Sequence, residues 1–251
     1  MMPLFFIKET PVAGKVVKIT GEDAHHISKV LRYKKGDIIE VSNGISYSGE
    51  GIIEEIDNKN NIIKVKIIKE EKDESGFTEI TLFQAIPKGQ KFDLIVQKNV
   101  EIGVKRIVPV FTKRIIPRYE EVKISDKIER WNKIAMEAAK QCKRKDIPLV
   151  EKPLNFQQLQ EKIKNFDFFL VPWENEKSLT LKQVMNNIKK GEAQKIAIFI
   201  GPEGGFDEEE IKNCVEKGAI PLTLGKRILR TETAGFVVST IMMYELADLG
   251  G

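Results

Sequence analysis

The amino-acid sequence predicts an α/β protein in two parts, a small antiparallel β-barrel over residues 1–70 and a parallel-sheet domain over residues 77–251. Before about residue 70, short runs rich in Ile and Val are separated by Gly, Asn and Asp turns, the pattern of a small all-β unit. After residue 77, apolar strand-like runs alternate with segments whose apolar residues recur at helical spacing, and that alternation builds a parallel sheet. Between the two, KEEKDESG (Lys69 to Gly76) is charged and lacks large apolar residues. It reads as a linker and places the boundary at 71–76.

In the first part the expected strands are Leu4–Ile7, Lys15–Ile19, Asp37–Val41, Gly51–Ile56 and Ile62–Ile68, with turns at Ser42-Asn43-Gly44 and Asp57–Asn61. One helical piece, Asp23–Leu31, interrupts them and carries Ile27, Val30 and Leu31 on one face. In the second part Ile80–Ile86 is a strand, and Pro87-Lys88-Gly89 turns into a helix from about Gln90 to Ile102. On that helix Phe92, Ile95, Val96, Val100 and Ile102 face inward, Lys91 and Lys98 outward, and Gly103 is placed to end it. Arg106–Phe111 is the next strand, followed by a loop with Lys113, Arg114 and Arg118. A longer helix begins at Ser125 or Asp126 and runs to about Arg144, with Ile128, Trp131, Ile134, Ala135 and Ala138 at helical spacing. Phe168–Val171 is a strand ending at Pro172-Trp173-Glu174, and Leu179–Ile188 is a helix.

The remaining stretch repeats one plan twice. Ile196–Ile200 is a continuous apolar run, the pattern of a strand buried on both faces. Gly201, Gly204 and Gly205 then remove side chains where a ligand or a neighbouring backbone comes close. Asp207 with Glu210 has the spacing of a helix N-cap and its reciprocal partner. Pro221–Leu224 is a second strand and Gly225 its turn. Thr231 is the N-cap of a helix in which Ala234, Val237, Val238, Ile241 and Met242 repeat at helical spacing. The first loop lacks the lysine of a phosphate cradle and leads into Glu203, Asp207, Glu208, Glu209 and Glu210, so a neutral or cationic ligand suits it better than a polyanion. Taken alone it is equally a tight turn before a well-capped helix. In the second loop Lys226, Arg227 and Arg230 interleave with Ile228 and Leu229, which combines apolar residues for a base with arginines for a phosphodiester.

Composition sets outer limits. A chain of 251 residues with 41% hydrophobic and 31% charged residues is that of an ordinary globular protein. No apolar run approaches membrane-spanning length and the N-terminal MMPLFFIKET has no cationic region, so the chain is expected to be cytoplasmic, without a membrane partner. Two cysteines, Cys142 and Cys214, and two histidines, His25 and His26, argue against a disulfide framework or a metal site. From Lys88 to Lys145 there are 16 Lys and Arg against 7 Asp and Glu, although the whole chain is only +4. Such a segment suits a polyanion partner, and it is also what solvated helix faces produce.

GPEGGF followed by LGKRILRTETA resembles the signature of the ribosomal small-subunit RNA methyltransferase E family, of the SPOUT class, which methylates N3 of a uridine in 16S rRNA. HHISKVLRYKKGD (His25 to Asp37), KGQKFDLIVQKNVEIGV (Lys88 to Val104) and RWNKIAMEAAKQCKRKDIP (Arg130 to Pro148) extend the resemblance over nearly the whole chain. The resemblance implies a SPOUT-type parallel-sheet domain with a trefoil knot, a PUA-like barrel that helps to hold RNA, a homodimer, and S-adenosylmethionine as cofactor. It implies cofactor contacts from three loops: Leu170 and Pro172; Gly201, Pro202, Glu203, Gly204 and Gly205; and Leu224, Gly225, Ile228 and Leu229. RNA would be gripped by His25, Lys29 and Arg32 of the barrel and by Lys88, Lys91, Lys113, Arg114, Arg118, Arg144 and Arg227. Paired histidines beside a helix are also ordinary capping or packing groups. Cys142 is read as a packed thiol, because transfer to N3 needs no covalent adduct.

Methyl transfer from a sulfonium to uracil N3 cancels a cation against a developing anion, so it favours a dry site with donor and acceptor aligned. The N3 proton must also leave, and a positioned base contributes about 10²- to 10⁴-fold. Glu232 is the first candidate for that base and Glu203 the second, while Arg230 would hold the target phosphate or a uridine oxyanion. Glu232 in the first turn of a helix also simply complements the dipole. Other readings left open are a SPOUT methyltransferase acting on tRNA or another rRNA base, and a non-catalytic RNA-binding protein of the same fold.

Overall fold

A computed structural model describes residues 2–72, 78–114, 121–188, 192, 194–246 and 249. Its chain divides into two units, Met1–Ser75 together with Ala139–Ile147, and Gly76–Ala138 together with Pro148–Gly251.

Side-chain alternation shapes the first unit. β2 (Val16–Thr20) turns Val17 and Ile19 inward and their neighbours outward, and β3 (Ile38–Ser42) buries Ile39 and Val41 the same way. With β1 (Leu4–Phe6), β4 (Tyr47–Asp57) and β5 (Ile62–Lys72) they form one sheet in the order β1-β3-β4-β5-β2. Its ladders are antiparallel except β1–β3, which is parallel, a departure from the all-antiparallel arrangement expected. Phe5, Val17, Ile39, Ile53 and Val65, one from each strand, meet in a single core, so the sheet has to curl around them.

The charged stretch Lys69–Lys72, expected as linker, continues β5 opposite Tyr47–Glu50 of β4. Ladder hydrogen bonds are made by the backbone, and the charges find partners of their own: Lys145 lies 2.6 Å from Glu71, and hydrogen bonds from Lys145 and Lys69 pull the Glu71 carboxyl down to about 2. The segment Ala139–Ile147 is tied into the same unit, where Lys140 pairs with Asp23 at 2.9 Å and the Ile147 N–H donates to the Gly44 carbonyl at 2.8 Å.

The predicted helical piece is irregular. α1 (Gly21–His25) runs directly into a π-helical turn, His26–Val30, closed by the Leu31 N–H donating to the His26 carbonyl at 2.9 Å. That wider turn breaks the 3.6-residue period. Ile27 is therefore buried, whereas Val30 and Leu31, expected on its face, are 58% and 38% exposed.

The second unit contains β6 (Glu79–Ala85), α2 (Lys91–Glu101), β7 (Arg106–Phe111), α3 (Glu121–Cys142), β8 (Leu149–Val150), β9 (Leu154–Asn155) and α4 (Phe156–Lys162). It continues with β10 (Phe168–Pro172), α5 (Leu181–Met185), β11 (Lys195–Ile200), α6 (Glu208–Glu216), β12 (Ile220–Leu222) and α7 (Thr231–Leu246). The strands form a parallel sheet in the order β12-β10-β11-β6-β7-β8, with β9 also on β7. α3 starts earlier than expected, and β8, β9 and α4 occupy a stretch that the sequence left unassigned. After its first residue β11 reads as an uninterrupted apolar run because both faces are covered, while β6 carries Thr81 and Gln84 among its apolar residues. Under the sheet Phe83, Phe169, Phe199 and Phe206 stack in series, with ring centroids 4.7 to 6.4 Å apart.

α7 is apolar nearly all round, so periodicity could not fix its inward face. It buries Gly235, Val238, Ser239, Met242 and Met243 against α2, β6 and β11, leaving Ile241 and Tyr244 39% and 66% exposed. Among the described residues no helix is long and apolar enough to cross a membrane.

Candidate active site

Strand order places the site. From β6 the chain builds outward through β7 and β8, then returns to β6's other side with β10, β11 and β12. In such sheets ligands bind beyond the carboxyl ends of the strands where the order reverses. There the loops after β10, β11 and β12 enclose a cleft of about 550 Å³, within the usual size of small-molecule sites. Pro172 and Glu174 come from the first loop, Gly201 to Phe206 from the second, Ile228 to Arg230 from the third, and Lys91 from α2.

Each loop is fixed by a specific contact. Thr231 is the first residue of α7 rather than its cap, and its hydroxyl donates to the Gly201 carbonyl at 2.6 Å. The same hydroxyl accepts from the Gln84 side-chain amide at 2.9 Å, and Gln84 is fully buried in β6. One buried chain of hydrogen bonds thus joins β6, the glycine loop and the RILRTETA loop. Asp207 and Glu210 form the expected capping box on α6. Glu210 reaches further than expected, accepting from the Lys113 backbone N–H at 2.8 Å as well.

Two of the three glycines have a visible reason. Gly205 has φ +69°, which disfavours side chains, and a Cβ there would lie 2.1 Å from Glu174 Oε1. At Gly201 a Cβ would sit 3.1 Å from the Phe206 ring, while at Gly204 the nearest atoms are 3.8 Å away. The peptide groups of Ile228 and Leu229 make no hydrogen bond among the described residues. They are free to bind the edge of a ligand.

Charge in the cleft is organised by Lys91. Its ammonium lies 3.0 Å from Glu203 of the glycine loop and 3.6 Å from Glu232 in the first turn of α7. Burial pushes the Glu203 carboxyl up, but the hydrogen bond and charge of Lys91, with backbone N–H donors, outweigh it and hold the group below its ordinary value. Lys91 in turn is raised, chiefly by its hydrogen bond to Glu203. Glu232 Oε2 is buried and accepts no hydrogen bond among the described residues.

Of the expected cofactor residues, Pro172, Gly201, Pro202, Glu203, Gly204, Gly205, Ile228 and Leu229 line the cleft. Leu170 does not: it is fully buried inside the sheet, paired with Ile198 and Ile220. Leu224 and Gly225 also lie outside the lining. Ile228, expected to offer an apolar surface to a base, is 86% exposed at the mouth. Arg230 lines the cleft, and Glu232 reaches it through Lys91. Residues not anticipated are Glu174, Phe206 and Thr231, together with Gln84 behind them. A polar Gln near the end of the mainly apolar β6 was the available signal for the last.

The expected RNA contacts separate into occupied and free groups. Lys91 is held by the two glutamates. Lys113 is paired with Glu209 and, at 3.6 Å, with Asp207. Arg114 donates to the Gly204 carbonyl at 2.8 Å, bracing the glycine loop. Arg144 clamps Asp146 through Nε and Nη2 at 3.1 and 2.8 Å. By contrast the side chains of Lys88 and Arg227 are exposed without an ion pair among the described residues, as are His25, Lys29 and Arg32 on the first unit. Arg118 lies outside the described residues. Cys142 is half-buried with its thiol directed at the Ala139 carbonyl.

Comparison with known proteins agrees with this geometry. The RNA methyltransferase domain family matches residues 73–243, and the RNA methyltransferase PUA domain family matches residues 19–72. The chain is 35% identical over 248 residues to ribosomal RNA small subunit methyltransferase E of Buchnera aphidicola from Acyrthosiphon pisum, covering 98% of this chain and 95% of that one. It is 30% identical to the Bacillus subtilis protein of the same name, covering 98% and 94%. Among solved structures, ribosomal RNA small subunit methyltransferase E of Neisseria gonorrhoeae bound to S-adenosylmethionine superposes with TM-score 0.83 at 27% identity, over 99% and 100% of the two chains. A methyltransferase of Legionella pneumophila in complex with the same cofactor gives 0.82 at 26%, also over 99% and 100%. With its glycine loop and RILRTETA loop facing each other across one cleft, and matched along its length by these relatives, the chain belongs to the ribosomal RNA small subunit methyltransferase E family.

Proposed function

We propose that this protein transfers a methyl group from S-adenosylmethionine to N3 of a uridine in 16S rRNA of the small ribosomal subunit, as a cytoplasmic homodimer. The observation that carries the reading is the cleft of about 550 Å³ between the glycine loop and RILRTETA in a chain of this family. The residues present suit the cofactor. The free peptide groups of Ile228 and Leu229 can meet an adenine edge, and three carboxylates against two cations suit a ligand with a positive centre. The exposed Ile241 and Tyr244 on α7 are apolar surface that a second copy would cover. The trefoil knot implied by the family belongs to the same proposal.

When bound, S-adenosylmethionine supplies an electrophilic methyl group on a sulfonium. Glu232 is the group we assign to take the uridine N3 proton: its carboxylate is largely buried, one oxygen lacks a hydrogen bond among the described residues, and Lys91 keeps it company at 3.6 Å. Glu203, the second candidate, has its carboxyl held below the ordinary value by the hydrogen bond and charge of Lys91. Arg230, exposed at the cleft and without an ion pair among the described residues, is free to neutralise a uridine oxygen or the adjoining phosphate. Leu229 is half-buried and excludes water from one wall, while the exposed Ile228 leaves the mouth open for RNA. Lys88 and Arg227, with His25, Lys29 and Arg32, would grip the backbone.

Mass spectrometry of nucleosides from small-subunit rRNA, in cells with and without the protein, tests the reading directly. Loss of N3-methyluridine is expected. Disappearance of a different methylated base would refute the substrate, and no change would refute catalysis on this RNA. Arg230→Ala should abolish methylation while leaving cofactor affinity within a few fold, and a large loss of affinity would reassign Arg230 to the cofactor.

A further inference from the structure

Three carboxylates are gathered at the cleft, and two of them are already matched by Lys91. The third, Glu174, is exposed and makes neither a hydrogen bond nor an ion pair among the described residues. Its carboxylate nevertheless lies against the glycine loop, so close that a Cβ at Gly205 would be 2.1 Å from Oε1. The absence of a side chain at position 205 is what admits it.

The turn that carries Glu174 is fixed on both sides. Before it, the Trp173 N–H donates to the Leu222 carbonyl at 2.9 Å; after it, the Glu176 N–H donates to the Trp173 carbonyl at 3.2 Å. Glu176 Oε1 then accepts from the Ser178 N–H, the Ser178 hydroxyl and the Leu179 N–H at 2.7, 2.5 and 3.2 Å. The backbone that presents this partnerless carboxylate at the ligand loop is thus prearranged, which lowers the ordering cost of receiving a charge there.

We propose that Glu174 recognises the positive charge of the ligand bound in this cleft. The proposal rests on reading the cleft as the S-adenosylmethionine site, and the shared chemistry is a cationic centre, either the sulfonium or the α-ammonium group. In the first case Glu174 discriminates the donor from its product, because methyl transfer leaves a neutral thioether and ends the attraction.

Calorimetry on the full chain with three ligands decides the matter: S-adenosylmethionine; S-adenosylhomocysteine, which of the two cationic centres keeps only the ammonium; and methylthioadenosine, which has neither. Glu174→Gln should weaken S-adenosylmethionine about fivefold and leave methylthioadenosine unchanged. An unchanged S-adenosylhomocysteine would assign the sulfonium, and an equal loss would assign the ammonium; both support the proposal. It is overturned if methylthioadenosine weakens as much as S-adenosylmethionine, or if none of the three changes. Glu174→Asp, which keeps the charge, should retain most of the preference and guards against a mere loop effect. A wild-type chain that binds none of the ligands would instead refute the cofactor reading itself.

Discussion

Gly205→Ala, set beside Gly204→Ala, separates two uses of glycine in one motif. At Gly205 the backbone has φ +69°, where a Cβ costs about 1–2 kcal/mol from sterics alone. The added methyl also meets Glu174 Oε1 at 2.1 Å, but that atom ends a flexible, exposed side chain and can move away. Stability should therefore fall by roughly the backbone cost, lowering Tm by about 2–8 °C, since 1 kcal/mol shifts a chain of this size by about 2–4 °C. Cofactor affinity should fall as well, because the loop and Glu174 are displaced together. At Gly204 no positive φ is imposed and the nearest atoms, Cβ and Cδ of Arg114, are at ordinary contact distance, 3.8 Å. Alanine there should change stability by less than about 0.5 kcal/mol. Thermal denaturation and calorimetry of the two variants provide the test. Equal losses at both positions would refute the reasoning.

Thr231→Val removes both the donor to the Gly201 carbonyl and the acceptor of the fully buried Gln84 amide, so it should cost about 1–3 kcal/mol, with Thr231→Ser restoring most of it in thermal melts. Lys91→Met should let the Glu203 carboxyl titrate nearer its ordinary value of 4.5. Because the wild-type pKa is depressed, the stability it contributes is complete above the unfolded value and lost as pH falls through the folded one. The gap between wild type and Lys91→Met, about 0.2–1 kcal/mol at neutral pH, should therefore close in melts recorded on the acid side of pH 4.5. In RNA binding, Arg227→Ala should reduce the slope of log affinity against log salt by about 0.7–0.9, whereas Lys113→Ala, whose charge is already paired, should barely change it. Burial, with Glu210 adding to it, pushes the Cys214 thiol up to about 12, so a thiol reagent near pH 8 should label only Cys142 until the protein unfolds.

The sequence allowed the parallel sheet, the strand ends and most of the cleft to be read, because each depends on local patterns. Apolar runs such as Ile196–Ile200 mark doubly covered strands, and Asp207 with Glu210 marks a helix start wherever it occurs. Departures arose where a nonlocal partner decides. Lys69–Lys72 is charged like a linker, yet β4 offers a ladder that takes any side chain. Thr231 has the composition of a cap, yet its hydroxyl donates to the Gly201 carbonyl and accepts from Gln84 instead. Val30 and Leu31 have helical spacing, yet a π-turn, invisible to a 3.6-residue template, rotates them to the surface.

Charge was the least readable property, and the reason is physical. A count of 16 basic against 7 acidic residues from Lys88 to Lys145 treats every cation as available to a polyanion. Pairing removes several of them: Lys113 against the acidic first turn of α6, Arg144 against Asp146, Lys91 against Glu203 and Glu232. Except for Arg144 and Asp146, two residues apart, the partners lie in different parts of the sequence, Glu209 coming 96 positions after Lys113, so no window of residues could reveal them. The field an RNA meets is set by the cations left over. Arg227 and Lys88 are among these in the second unit, and both sit in loops next to the cleft rather than on the long helix α3. A salt-slope measurement on a Lys88→Ala, Arg227→Ala double variant should therefore remove more of the electrostatic binding than the same number of substitutions in α3. An equal effect from α3 would show that the solvated helix face, and not the loops, carries the RNA.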